Sequence, residues 1–177
     1  MKKFFAIAIV AVFAGCMTAS NSSMPMAQAT LAPTTGQTAK GTVHFMDLKD
    51  GAVEVDVNLT GLTPGQHGFH VHDKGDCGDD AKNAGPHYNP MNEPHGGPST
   101  AQHHAGDFGN VVADANGNVK TKFATRFITV APGPKSVVGH AVVLHGGVDD
   151  LASQPAGNAG PRIACGVVSA MAGDMQH

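Results

Sequence analysis

Residues of the types that commonly bind metals are concentrated between positions 70 and 145 of this chain. The group consists of His70, His72, His87, His95, His104, Asp107 and His145. Imidazole is the commonest protein ligand for zinc and copper, and imidazole mixed with carboxylate suits these borderline metals. The 11 histidines equal the 11 lysines and arginines in number. This composition indicates metal binding or pH sensing, and the spacing must decide between them.

The spacing divides the group between strands and a loop. His70 and His72 are two residues apart in a strand-like segment, so both side chains lie on one face, with Cα atoms roughly 6–7 Å apart. His145 ends another strand-like segment and could approach from a neighbouring strand. The loop supplies three imidazoles and a carboxylate, which fill a tetrahedral zinc shell: His87, His95, His104 and Asp107. A metal held by the strand histidines would gain a fourth ligand if His87 were shared.

The elements that position these residues are predicted to be short strands. Residues 53–60 alternate apolar and polar side chains, which is typical of a half-buried strand. Further β-rich segments lie at 42–45, 111–113, 119–123, 138–144 and 163–169. Turn sequences separate them and no segment has a helical period, so the pattern predicts an all-β antiparallel barrel or sandwich. Two loops rich in glycine, at 73–103 and 146–161, interrupt the strands.

The N-terminus has the pattern of an export signal. Lys2 and Lys3 precede an apolar run over 4–14, and the run ends in Phe-Ala-Gly-Cys16, which resembles a bacterial lipoprotein box. We predict a signal peptide over 1–15 and lipidation of Cys16. The alternative is ordinary cleavage after Ala29, at an Ala-x-Ala site. An oxidising compartment would join the remaining pair, Cys77 and Cys165; otherwise they are two unrelated thiols.

The predicted domains follow from these patterns. A flexible tether is expected over 16–37, the folded domain over 38–171 and a tail over 172–177, because residues 20–37 show no apolar period. The net charge of -3, without a cluster of lysine or arginine, argues against nucleic acid as a partner. Contact with a membrane is expected only through a lipid at Cys16.

Two longer motifs resemble signatures of copper/zinc superoxide dismutase. They are Gly-Phe-His-Val-His-Asp-Lys-Gly-Asp at 68–76 and Gly-Asn-Ala-Gly-Pro-Arg-Ile-Ala-Cys-Gly-Val-Val at 157–168. The similarity spans about 38–169, and Cys77 follows His72 closely, as in the bacterial, exported type. The family fold is an eight-stranded antiparallel Greek-key barrel or sandwich with a long metal-binding loop; here the second loop is short. No lysine lies at 152–157, and Lys74 and Lys135 are weak substitutes as steering charges.

The resemblance also implies roles for individual residues. The copper ligands would be His70, His72, His87 and His145, and the zinc ligands His87, His95, His104 and Asp107. Asp149 would link His70 to His95, Cys77 and Cys165 would form a disulfide, Arg162 would hold the substrate anion, and His87 would carry a proton.

The expected function is dismutation of superoxide to O2 and hydrogen peroxide, with copper and zinc as cofactors. The chain would defend the periplasm or cell envelope, and a homodimer is possible. The alternative is a non-enzymatic envelope lipoprotein that buffers or delivers copper or zinc. A dismutation assay with metal counting separates the two functions.

Overall fold

The computed structural model describes residues 24–172 and contains eight strands. The strands are β1 (Met26–Pro33), β2 (Lys40–Asp47), β3 (Val53–Thr60), β4 (Gly65–His72), β5 (Asp107–Ala113), β6 (Val119–Thr125), β7 (Ala141–His145) and β8 (Arg162–Ala170). Within residues 24–172 the single helix is one 3₁₀ turn, Lys82–Ala84. The all-β prediction is confirmed.

The strands form one antiparallel sheet that curls into a nearly closed barrel. Their order is β5-β4-β7-β8-β1-β2-β3-β6. Strand β7 returns to lie beside β4 after the consecutive strands β4, β5 and β6, which is the Greek-key arrangement. The end strands β5 and β6 of this sheet are not joined by a hydrogen-bonded ladder within residues 24–172. Phe108 and Phe123 close this seam, with ring centroids 5.3 Å apart.

Alternating side chains explain which face of each strand is buried. In β3, Val53, Val55, Val57 and Leu59 point into the barrel, while the residues between them are more exposed. Strand β7 begins at Ala141, three residues later than the sequence predicted. Gly139 has a φ of 88°, a left-handed conformation that ends extended pairing before this point.

Strand β1 corrects the predicted domain boundary. Residues 16–37 were expected to form a flexible tether, and that prediction is wrong for Met26–Pro33. This segment pairs with β2 on one side and β8 on the other. Ala27, Ala29 and Leu31 point into the core, so the segment is part of the barrel. Alanine at two of the three inward positions made the alternation too weak to recognise, since alanine has low β propensity.

The remaining terminal predictions lie outside the described residues. They concern the signal peptide over 1–15, lipidation of Cys16 and the tail beyond residue 172. Over residues 24–172, no helix has the length and apolar character needed to cross a membrane.

Two loops without strands cover the outer face of β4, β7 and β8. The longer loop follows β4, and the shorter one lies between β7 and β8. A disulfide between Cys77 and Cys165 joins the longer loop to β8, with Cα atoms 5.7 Å apart. Both cysteines pack with Ala81, Ala84 and Val143 in a small apolar cluster under the loop. The loop thus has its own covalent and apolar attachment to the barrel.

Candidate metal centre

Two neighbouring strands form the rigid part of the centre. The register of β4 and β7 places Phe69 opposite Leu144 and His70 opposite Val143. His70 and His72 therefore share a face, and His145, at the end of β7, lies on the same face because side chains alternate along a strand. Phe69 and Leu144 fill the core on the other face.

The longer loop carries His87 onto this platform. His87 forms an isolated antiparallel bridge with His72, and the backbone N–H of Tyr88 donates to the Val71 carbonyl at 2.8 Å. The loop then returns, and the Gly106 N–H donates to the Tyr88 carbonyl at 2.9 Å. The end of β4 thereby determines the position of His87.

The predicted ligands form two buried groups. One group contains His70, His72, His87 and His145, and the other contains His87, His95, His104 and Asp107. Within each group, the potential ligand atoms lie within 4.8 Å of one another. The structure thus brings together all seven residues selected from the sequence, and His87 belongs to both groups.

Hydrogen bonds leave one free nitrogen on each strand histidine. His72 Nδ1 and His145 Nδ1 donate to the carbonyls of Gly85 (2.9 Å) and Gly160 (3.2 Å), and His70 Nε2 donates to Asp149. The free atoms are therefore Nε2 of His72, Nε2 of His145 and Nδ1 of His70. Such bonds fix the tautomer and orientation of metal-binding imidazoles.

The free nitrogens lie close enough together to bind one metal ion. His70 Nδ1 and His87 Nε2 are buried and lack any hydrogen-bond partner. His72 Nε2 and His145 Nε2 are 3.4 Å apart. Two nitrogens bound tetrahedrally at about 2.0 Å from one metal would be roughly 3.3 Å apart. A transition metal fits this group because it would satisfy nitrogens that are otherwise costly to bury.

The second group surrounds the Asp107 carboxylate. Oδ1 of Asp107 lies 2.7 Å from His87 Nδ1 and 3.2 Å from His104 Nδ1. His95 Nδ1 is 3.1 Å from Oδ2 but outside hydrogen-bonding geometry. Three imidazoles and one carboxylate provide a complete tetrahedral set, which is typical of structural zinc.

Asp149 links the two groups from behind. Its Oδ2 accepts from His70 Nε2 at 2.8 Å, and its Oδ1 accepts from His95 Nε2 at 3.0 Å. Gly157, with a φ of 66°, packs against this pair, and a Cβ there would overlap both the carboxylate and the His95 ring. The carboxylate therefore couples the orientation of one imidazole in each group.

Two amide side chains that the sequence analysis missed hold this arrangement. Gln154 accepts from the backbone N–H of His95 at 2.9 Å and donates to the His95 carbonyl at 2.8 Å. Asn110 makes the same reciprocal pair with the backbone of Asp149, at 2.8 and 2.9 Å. Neither residue stands in a recognisable motif, because the pairing depends on the loop conformation.

Replacing Asp149 with asparagine should weaken both metal sites. The amide cannot accept two imidazole N–H groups with equal strength, so His70 and His95 would lose their fixed tautomers. Loss of such an outer partner typically lowers metal affinity by about 10–100-fold. Competition with a chelator measures the affinity for copper and zinc, and Asp150→Asn, on the exposed side of the same turn, is the matched control. Unchanged affinity in D149N would contradict the bridging role.

Burial favours the neutral form of three of the histidines. It lowers the pKa of His72 to about 2, of His145 to about 3 and of His87 to about 4. Burial alone would raise the pKa of Asp107, but hydrogen bonds from His104 and His87 outweigh it and hold that pKa below its usual value. Neutral imidazole and ionised carboxylate are the forms that bind metals.

These pKa values predict acid lability of the metal-free protein. Below about pH 6.5 the unfolded chain binds protons on His72, His87 and His145, whereas the folded chain does not until about pH 4 or lower. The free energy of unfolding should therefore fall between pH 6.5 and 4, by roughly 1.4 kcal/mol per pH unit for each histidine. Urea denaturation across this range measures it. Stability that is flat or rises as the pH falls would contradict the assignment.

A cavity of about 650 Å³ reaches three of the four residues of the first group and also His104 of the second. His72, His87 and His145 line it, together with Arg162 and Lys82. Neither Lys74 nor Lys135 is among its lining residues. Lys82 was not predicted from the sequence, because only the 3₁₀ turn brings it to the cavity.

Arg162 is held at this cavity by the long loop. Its guanidinium donates to the carbonyls of Ala81 and Gly85, the second at 2.6 Å. The Gly85 carbonyl also accepts from His72 Nδ1, so one backbone group connects the arginine to a candidate ligand. The result is a fixed positive charge beside the open face of the first group.

The other histidines of residues 24–172 lie outside both groups. His67 hydrogen-bonds the His145 carbonyl at 2.9 Å, and His103 bonds the His104 carbonyl at 2.7 Å while its ring packs on Phe127. These contacts give both residues structural roles within the fold.

Comparison with known proteins places this geometry in a family. The family model for copper/zinc superoxide dismutase (SODC) matches residues 39–168. The chain is 41% identical to superoxide dismutase [Cu-Zn] 2 of Mesembryanthemum crystallinum over 139 residues, which cover 75% of this chain and 88% of the relative. It is also 41% identical to the extracellular superoxide dismutase [Cu-Zn] of Brugia pahangi over 138 residues, which cover 73% and 68%.

A solved structure shows the same fold. The crystal structure of the clock protein EA4 is 39% identical, with a TM-score of 0.75, and the match covers 84% of this chain and 96% of that one. The model match, the relatives and the two histidine groups agree. The chain therefore belongs to the copper/zinc superoxide dismutase family, whose enzymes dismutate superoxide with copper and zinc as cofactors.

Proposed function

We propose that the first group holds copper and the second holds zinc, with His87 shared between them. The observation that carries this proposal is that both ring nitrogens of His87 are committed to the centre. Nδ1 faces Asp107 at 2.7 Å, and Nε2 is buried without a partner beside the other three histidines. His72, His87 and His145 of the all-imidazole group line the cavity, whereas His104 is the one residue exclusive to the other group that does, so the all-imidazole group has the wider access that a substrate-binding site requires. The group with a carboxylate is complete without an open position, as a structural site requires.

Different residues of the chain would then have different roles in dismutation. Copper, when bound, supplies the one-electron redox change, and zinc supplies a fixed charge and order to the loop. His72 and His145, anchored to backbone carbonyls, keep their orientation throughout. Nδ1 of His87 faces Asp107 and would be retained on the zinc side, which leaves Nε2 as the atom that would carry a proton towards the cavity. Arg162 holds the superoxide anion by charge and by its forked N–H groups.

Replacing Arg162 with alanine should slow dismutation without removing metal. The side chain hydrogen-bonds the loop backbone and none of the candidate ligands, so both ions should remain bound. Loss of the anion-binding charge should lower kcat/KM on the order of tenfold or more, and Arg162→Lys should recover part of this because a lysine keeps the charge but not the fork. Lys82→Ala is the control for general charge at the cavity. A normal rate in R162A with full metal content would refute the role.

We propose that the protein is a bacterial, exported member that defends the cell envelope and is anchored by lipid at Cys16. The disulfide between Cys77 and Cys165 supports an oxidising compartment. The position of β1 argues against cleavage after Ala29, because that cut would remove Ala27 and Ala29 from the core. The extracellular relative from Brugia pahangi is in keeping with export.

Mass spectrometry of the mature N-terminus tests the anchor. The expected result is an acylated Cys16, and a mature chain that begins at residue 30 would contradict it. Dismutation measured alongside metal content separates the enzyme from a metal-buffering lipoprotein. One copper and one zinc per chain without activity would favour buffering.

A homodimer is a further part of the proposal. The exposed apolar side chains include Val112, at 64% exposure, and Val167, at 37%, both on outer barrel faces. Light scattering at several protein concentrations should give twice the chain mass. A constant single-chain mass would refute dimer formation.

A further inference from the structure

Methionines meet in register on an outer face of the barrel, and none of them belongs to the histidine groups. Met26 of β1 is opposite Met46 of β2 in the ladder. Ala27 is opposite Ala170 in the pairing of β1 with β8, which puts Met171 beside Met26, and the Met171 N–H donates to the Met26 carbonyl at 2.8 Å. Met46 on β2, Met26 on β1 and Met171, directly after β8, therefore form a row, here called the methionine row.

The methionine row faces outward. Ala27 and Phe45, the neighbours of Met26 and Met46, are fully buried, so strand alternation directs the methionines away from the core. Met26 is 38% exposed and Met171 is 40% exposed. Isolated exposed apolar residues need no explanation, but three thioethers side by side are not isolated.

The sulfur atoms on this surface are soft ligands, which favour soft metal ions. Thioether sulfur is a weak ligand for zinc and other hard or borderline ions but binds Cu(I) well. Neighbouring strands lie about 4.8 Å apart, and methionine has three rotatable side-chain bonds, so the outer two side chains can lean towards a shared ion above Met26. His44 stands two residues from Met46 on the same outward face and offers an imidazole as a further ligand.

The surroundings favour a soft ion over a hard one. Glu54, opposite Met46 in the ladder, is held by Lys122 at 2.9 Å. Asp47 accepts from the N–H groups of Val130 and Ala131 at 2.7 and 2.8 Å and is occupied. An apolar groove of about 450 Å³, lined in part by Met26 and Met171, borders the row. We propose that the methionine row binds one Cu(I) ion, at a site separate from the two histidine groups.

The test uses the full chain with copper and zinc already bound and with Cys16→Ser in every sample, so that no free thiol competes. Cu(I) is added anaerobically as its acetonitrile complex, against a chromogenic Cu(I) chelator. We expect one additional Cu(I) per chain and an affinity at least about tenfold lower in the M26L/M46L/M171L variant. Met91→Leu is the matched control, because Met91 is 37% exposed and lies in the metal-binding loop, outside the row.

A second measurement does not depend on the variant. With ¹³C-labelled methionine methyl groups, Cu(I) should shift the signals of Met26, Met46 and Met171 and leave that of Met91 in place. Equal affinity in the triple variant, or shifts at Met91 as large as those of the row, would overturn the proposal. Dismutase activity and thermal midpoint report whether the triple variant is folded; if it is not, the methyl shifts of the unmodified row decide.

Discussion

Replacement of His87 by alanine is expected to abolish dismutation and to loosen both metals. His87 is the single residue common to the two groups, with Nδ1 against Asp107 and Nε2 among the other histidines. Loss of a residue that only orients a ligand lowers metal affinity by about 10–100-fold, so removal of a shared ligand should exceed about 100-fold at the copper site. The zinc site would retain His95, His104 and Asp107 and should lose less.

Metal analysis after dialysis and a dismutation assay measure these losses together. His44→Ala is the matched control, since His44 lies on β2 and belongs to neither group. It should keep the rate and the copper and zinc content of the two histidine groups. An active H87A enzyme that contains both metals would show that the two groups do not share this residue.

Removal of the disulfide should have the largest effect on stability. The bond between Cys77 and Cys165 closes a loop with a sequence separation of 88 residues. On the chain-entropy model, such a closure contributes about 4–5 kcal/mol to the free energy of unfolding. The Cys77→Ser, Cys165→Ser double variant should lose a comparable amount, measured by urea denaturation of the metal-free protein.

The same bond should also affect the active-site cavity. It attaches the loop whose Ala81 and Gly85 carbonyls hold Arg162. The double variant should therefore show a lower dismutation rate at full metal content, in addition to its lower stability. A free energy of unfolding within 1 kcal/mol of the original value would contradict the structural role of the bond on the estimate of about 4–5 kcal/mol.

How much of the structure could be predicted from the sequence differed from one strand or loop to another. β3 was recognisable because valine and leucine alternate with polar residues, whereas β1 was missed because its inward residues are mainly alanine. The candidate ligands could be selected because few functions other than metal binding explain so many histidines at strand and loop positions. Gln154, Lys82 and the methionine row could not be selected, because their roles depend on a loop conformation or on cross-strand register.

The central claim is that two different ions lie on either side of the His87 ring. Anomalous diffraction from crystals of the metal-loaded protein, recorded at the copper and zinc absorption edges, tests it directly. We predict copper at His87 Nε2 together with His70, His72 and His145, and zinc at His87 Nδ1 together with Asp107. A single metal peak, or an ion at either site that is not bonded to His87, would contradict the account.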